Sequence, residues 1–136
     1  WPISALSFGQ KKRVTIAAIL VLEPAMLILD EPTAGQDLKH YTEMMTFLTT
    51  INRDQQMTIM LITHDMHLML EYTDRTIVLG HGKILMDAQP ADVLTNTAII
   101  QQASLAETSL YTMAAANELD PTEFVAKFVQ AEREGR

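Results

Sequence analysis

The segment Leu29-Asp30-Glu31-Pro32-Thr33-Ala34 closes the apolar run Met26-Leu27-Ile28-Leu29 with two adjacent carboxylates. A strand ending this way can give one carboxylate to Mg²⁺ and use the next to position a water, which is the chemistry of phosphoryl transfer. A buried strand running into an acidic turn would look the same in isolation, so the flanking segments decide. Upstream, Leu6-Ser7-Phe8-Gly9-Gln10 leads into Lys11-Lys12-Arg13-Val14 and a helical run stopped by Pro24. Ser7 suits the N-cap and Gly9 leaves backbone exposed, so the helix start offers N–H groups and a positive dipole end to a phosphate. An ordinary capped amphipathic helix shares those features. Downstream, Thr58-Ile59-Met60-Leu61-Ile62 reads as a second short strand, ending in Thr63-His64-Asp65. A histidine at a strand's C-terminal end lies on the edge where α/β sheets place ligands. There it can donate to a phosphate or orient a water.

In this order the segments resemble the ATPase subunits of ABC transporters. Leu6 to Gln10 is similar to the LSGGQ signature, Met26 to Glu31 to the Walker B strand, Ala34-Gly35-Gln36-Asp37 to the D-loop, and His64 to the switch histidine. Asp74 to Leu79 with Gly80 to Ile84 resembles the closing strand pair, so the likeness covers roughly residues 4 to 94. Phe8 stands where the commonest signature has a second glycine. Phenylalanine there resembles the second ATPase half of the fused energy-coupling factor importers of vitamins and metal ions; the other reading is a tolerated change whose side chain points away from the nucleotide.

The resemblance implies two such domains sandwiching two ATP molecules. Asp30 would hold Mg²⁺ through water, Glu31 would act as base or polariser of the attacking water, and His64 would contact the γ-phosphate. Ser7, Phe8, Gly9 and Gln10 would complete the site of a second ABC ATPase domain, with Asp37 near the dimer seam. Membrane-embedded transporter subunits would hold the protein, as a cytoplasmic peripheral component, on the inner face of the cell membrane. Its work would be powering uptake of a small nutrient such as a vitamin or metal ion. Two other classes are a soluble ABC ATPase acting on DNA or ribosomes and a non-catalytic interaction fragment.

The elements needed to position these residues can be read from periodicity and breakers. The pattern predicts helix 8–22, strand 26–30, helix 38–51, strand 58–62, a short helix 66–72, strands 76–79 and 83–87, and a helix from 91. Strands separated by helices imply parallel pairing, and Gly80-His81-Gly82 implies an antiparallel hairpin. The fold class is α/β: a partial P-loop-type ATPase domain over 1–95, then a helical C-terminal segment over 96–136 with helices near 98–116. Asp120-Pro121-Thr122-Glu123 supplies an N-cap, a first-turn proline and an acid for the last helix. Its stripe of Phe124, Val125, Phe128 and Val129 suits either a partner or the chain's own core.

No G-x-x-x-x-G-K-[ST] loop occurs in the 136 residues, and Gly80-x-Gly82-Lys83 is a hairpin turn. The expectation, with Trp1 directly ahead of the signature, is the C-terminal part of a longer polypeptide, inactive as an ATPase alone. A hydrophobic content of 48% supports one core, with apolar surface left for a missing half to cover. The longest apolar run, Ile16 to Leu22, is far short of the ~20 residues of a membrane span. The lack of cysteine excludes disulfides and thiolate metal sites. A net charge of -7 disfavours a nucleic-acid surface. The one dense basic cluster, Lys11-Lys12-Arg13, reads as a solvated helix face. The nine methionines read as core and interface filling.

Overall fold

A computed structural model describes residues 2–105 and 108–134. The chain forms two compact units, Trp1–Thr63 and His64–Arg136, a division that falls inside the 1–95 segment.

In the first unit a short 3-10 turn, Ile3–Ala5, precedes α1 (Phe8–Leu20), β1 (Met26–Asp30), α2 (Leu38–Gln55) and β2 (Thr58–Ile62). Helix α1 ends two residues earlier than its sequence suggests: Val21 is the C-cap, and Glu23 turns left-handed at φ 48 ahead of Pro24. A residue before proline is pushed out of the helical region, which sets the limit. Strands β1 and β2 pair in parallel, Leu27 opposite Ile59 and Asp30 opposite Ile62. Alternation gives the pair two unlike faces. Leu27, Leu29, Ile59 and Leu61 are buried or half-buried, whereas Met26, Ile28, Met60 and Ile62 are exposed. Of the methionines read as core or interface filling, Met44 and Met45 are in the core and Met60 lies on the exposed face. Helix α2 buries Met44, Met45, Leu48 and Ile51 at helical spacing and packs on β2. It runs past residue 51 to Gln55 because nothing in Asn52-Arg53-Asp54-Gln55 breaks a helix. Gln56 then stops it in the left-handed region at φ 52.

The second unit contains α3 (Met66–Tyr72), β3 (Thr76–Gly80), β4 (Lys83–Ala88), α4 (Pro90–Thr95), α5 (Thr97–Gln102), α6 (Ser109–Ala116) and α7 (Pro121–Glu134). β3 and β4 are antiparallel, joined by His81 and Gly82 with φ 51 and 73. Two positive φ values in a two-residue loop match the right-handed strand twist. The helices near 98–116 are two separate elements, capped by Asn96 and Thr108. Asp120 caps α7, its carboxylate accepting from the Glu123 N–H at 2.8 Å. Met69, Leu70, Val78, Val93, Leu94 and Val125 form the core, with Val129 against it. Helix α7 thus packs Val125 and Val129 on its own unit, while Phe128 of the same stripe stays exposed. No described helix is long and apolar enough to cross a membrane.

Candidate active site

β1 delivers Asp30 to its C-terminal end, where the residue is exposed. Glu31 then turns into the left-handed region at φ 44, a conformation that costs a residue with a Cβ about 1–2 kcal/mol. Its surroundings hold it there. The Glu31 N–H donates to the Ile62 carbonyl at 2.9 Å, and Thr63 Oγ1 lies 3.4 Å from Glu31 Oε2. The half-buried carboxylate is thereby kept beside the end of β2.

The following turn is cross-braced. Ala34 N–H donates to the Glu31 carbonyl at 3.3 Å, and Gln36 Nε2 to the Pro32 carbonyl at 3.1 Å. Pro32 and Thr33 are buried. Gly35 sits at φ 71, where a side chain would be strained. Asp37 then caps α2, accepting from the His40 N–H at 2.9 Å and lying 2.7 Å from the His40 ring. The backbone N–H of His40 and then its ring hold the Asp37 carboxyl below its usual range.

Two basic residues that sequence reasoning assigned to a solvated face are anchors instead. Lys12 Nζ donates to the carbonyls of Glu31 at 2.9 Å and Pro32 at 3.1 Å. Arg13 pairs with Glu43 of α2 and lowers the Glu43 carboxyl from its ordinary value. The partners lie 19 and 30 positions away, so no local pattern marks them.

Ser7 and Gln10 form a reciprocal capping box. The Gln10 N–H donates to Ser7 Oγ at 3.3 Å, and the Ser7 N–H to Gln10 Oε1 at 2.9 Å. The cap read from the sequence is therefore present. It occupies Gln10's own N–H, so an anion would meet the first-turn N–H groups of Phe8 and Gly9, which the helix ladder cannot satisfy. A Cβ added at Gly9 would meet open space, so this chain's packing does not close that approach. The Phe8 side chain lies outside the described structure. All these residues belong to the first unit. His64 is exposed and opens the second, one residue before Asp65, whose carboxylate caps α3.

Among the described residues no group of three or more His, Asp or Glu gathers for a metal. Asp30 is an exposed carboxylate at the strand end. That fits Mg²⁺, which keeps several waters and takes one or two carboxylates together with phosphate oxygens.

A sequence profile described as ABC transporter matches residues 2–34. A Lactiplantibacillus plantarum protein named as an ABC transporter ATP-binding protein is 88% identical over the whole chain, which covers 24% of that relative. The chain belongs to the ABC transporter ATP-binding family. Its mixed α/β fold of parallel strands and helices is that of ABC ATPase domains. CbiO1 of Clostridium perfringens, described as part of the ABC transporter complex cbiONQ, is 37% identical with a TM-score of 0.65, over 87% of this chain and 46% of that one. An ATP-binding cassette solved as a dimer in a post-hydrolysis state, bound to ADP and phosphate, is 30% identical with a TM-score of 0.56, over 64% of this chain and 37% of that one. The chain spans about a quarter, 24%, of the length of the curated relatives it matches most fully.

Proposed function

We propose that this chain supplies the signature helix, the paired carboxylates and the switch histidine of a subunit that binds and hydrolyses ATP to drive an ABC importer. The observation that carries the reading is Glu31: a carboxylate on a left-handed backbone, fixed at the end of the strand that presents Asp30. Strain of this kind persists where the surroundings hold it and clusters at active sites; elsewhere in the chain, at Glu23, Gln56 and His81, it ends a helix or makes a turn, whereas at Glu31 it sits beside the strand-end carboxylate. Asp30 would hold Mg²⁺ through water, and the ion when bound would neutralise charge on phosphate oxygens. Glu31 orients the attacking water or takes its proton, and His64 donates to the γ-phosphate. Ser7, Phe8, Gly9 and Gln10 serve the nucleotide of a second ABC ATPase domain, with Asp37 at the seam. Residues 1–95 are the ATPase portion and 96–136 a helical extension.

The cargo class is a small nutrient such as a vitamin or metal ion, in the manner of energy-coupling factor importers. Phe8 in the signature and the likeness to CbiO1 support that reading. Membrane-embedded subunits would then hold the protein at the cytoplasmic face of the membrane. The net charge of -7 speaks against a nucleic-acid partner.

Glu31→Gln in the full-length polypeptide tests the assignment. The amide removes the charge that orients or deprotonates water and leaves Asp30 in place, so turnover should fall at least a hundredfold while ATP still binds. Steady-state phosphate release and nucleotide retention on size exclusion report the two quantities. Hydrolysis within a few-fold of wild type would remove Glu31 from the role.

A further inference from the structure

We propose that Lys12 is a positioning residue for Glu31, an inference that rests on the ATPase reading above. Lys12 lies on α1, in the turn after the capping box of Ser7 and Gln10. Its half-buried side chain crosses to the loop after β1, where Nζ donates to two consecutive carbonyls, those of Glu31 at 2.9 Å and Pro32 at 3.1 Å. Both carbonyls take a second donor, Ala34 N–H and Gln36 Nε2 respectively. Four hydrogen bonds from three donor groups therefore converge on two oxygens, and the ammonium is the one donor that comes from another element.

This placement controls the direction of the Glu31 side chain. A residue at φ 44 is outside its preferred basins, and a small rotation there swings the carboxylate. Thr63 Oγ1 meets the carboxylate at 3.4 Å, and the backbone sets the direction from which the side chain leaves. Charge-assisted hydrogen bonds from Lys12 hold that backbone at the Glu31 and Pro32 carbonyls. Misplacing a catalytic group by about 1 Å can cost a hundredfold in rate. The same ammonium joins the helix proposed to serve a second nucleotide site to the backbone that carries the carboxylate of this chain's own site. A solvated lysine would do neither.

The test is a Lys12 series in the full-length polypeptide, with kcat and KM for ATP, thermal unfolding and fluorescent-nucleotide binding measured for each member. Lys12→Met keeps the stem and removes the donors. It should lower kcat about tenfold, with KM and nucleotide affinity changed less than twofold. Lys12→Arg, which can still donate to both carbonyls, should recover kcat to within about threefold of wild type. If Lys12→Met does not yield folded protein, Lys12→Gln is read by the same criteria. The proposal is overturned if the donor-poor variant keeps kcat within twofold. It is equally overturned if kcat, KM and melting temperature all worsen together and arginine rescues none of them. A wild-type protein without ATPase activity would remove both readings, whereas wild-type activity with an indifferent Lys12 removes only this one.

Discussion

Ser7 has two tasks that substitution can separate. Its hydroxyl caps α1, and in the proposed function its surroundings receive the phosphate of a second domain's nucleotide. Asparagine and aspartate are also good N-caps, so Ser7→Asn and Ser7→Asp should both fold, with stability changes under about 1 kcal/mol. Only aspartate adds a negative charge where the phosphate docks. ATP-driven dimerisation, followed by light scattering on the full-length protein, should survive in Ser7→Asn and fail in Ser7→Asp; Ser7→Arg should fail by filling the space. Equal dimerisation by all three would place the phosphate elsewhere. The caps at Ser7 and Asp120 were legible in the sequence because acceptor and donor lie within one turn. The anchoring of Glu31 was not: its left-handed φ and its partners Lys12, Ile62 and Thr63 come from tertiary contacts that leave no short-range signature.

At the scale of elements, the strands were the most legible part, since β1, β2 and the β3–β4 hairpin begin where short apolar runs and turn residues place them. Helix ends were less so. Residues 52–55 of α2 are polar, and the end of an apolar stripe is not the end of a helix. The hairpin also carries a charge pair that pH can address. Arg75, just before β3, clamps Asp87 of β4 through two bonds of 2.8 and 2.7 Å. The hydrogen bonds from Arg75 hold the Asp87 carboxyl below its ordinary 3.8. A depressed folded value means that the pair supports the hairpin fully above about pH 4 and stops doing so as pH falls through the lowered value. Both partners are solvent-exposed, so the effect should shrink in high salt. A carboxyl-carbon NMR titration should give Asp87 a midpoint below 3.8 that moves up in Arg75→Gln. An unchanged midpoint would mean that the bidentate pair is absent in solution.

For the whole molecule, affinity for ATP is limited by what these 136 residues contain. Phosphate-cradling N–H groups and a lysine ordinarily come from a G-x-x-x-x-G-K-[ST] loop, and the sequence has none. Asp30 and Glu31 repel free ATP. The isolated chain should show no ATPase activity and no binding tighter than about millimolar, a free energy of about -4 kcal/mol. Calorimetric titration of MgATP into folded, monodisperse chain checks this, and a micromolar dissociation constant would reveal a phosphate site of another kind. The two ladders also differ in what it takes to assemble them. The hairpin turns through His81 and Gly82 alone, whereas the parallel ladder of β1 and β2 encloses residues 31–57, including all of α2. Loop-closure entropy grows with length, so the parallel ladder has the larger ordering cost to meet. The geometry of the carboxylates therefore depends on a distant segment: Asp30 pairs opposite Ile62, and the Glu31 N–H needs the Ile62 carbonyl, so neither is in place until α2 has brought β2 alongside.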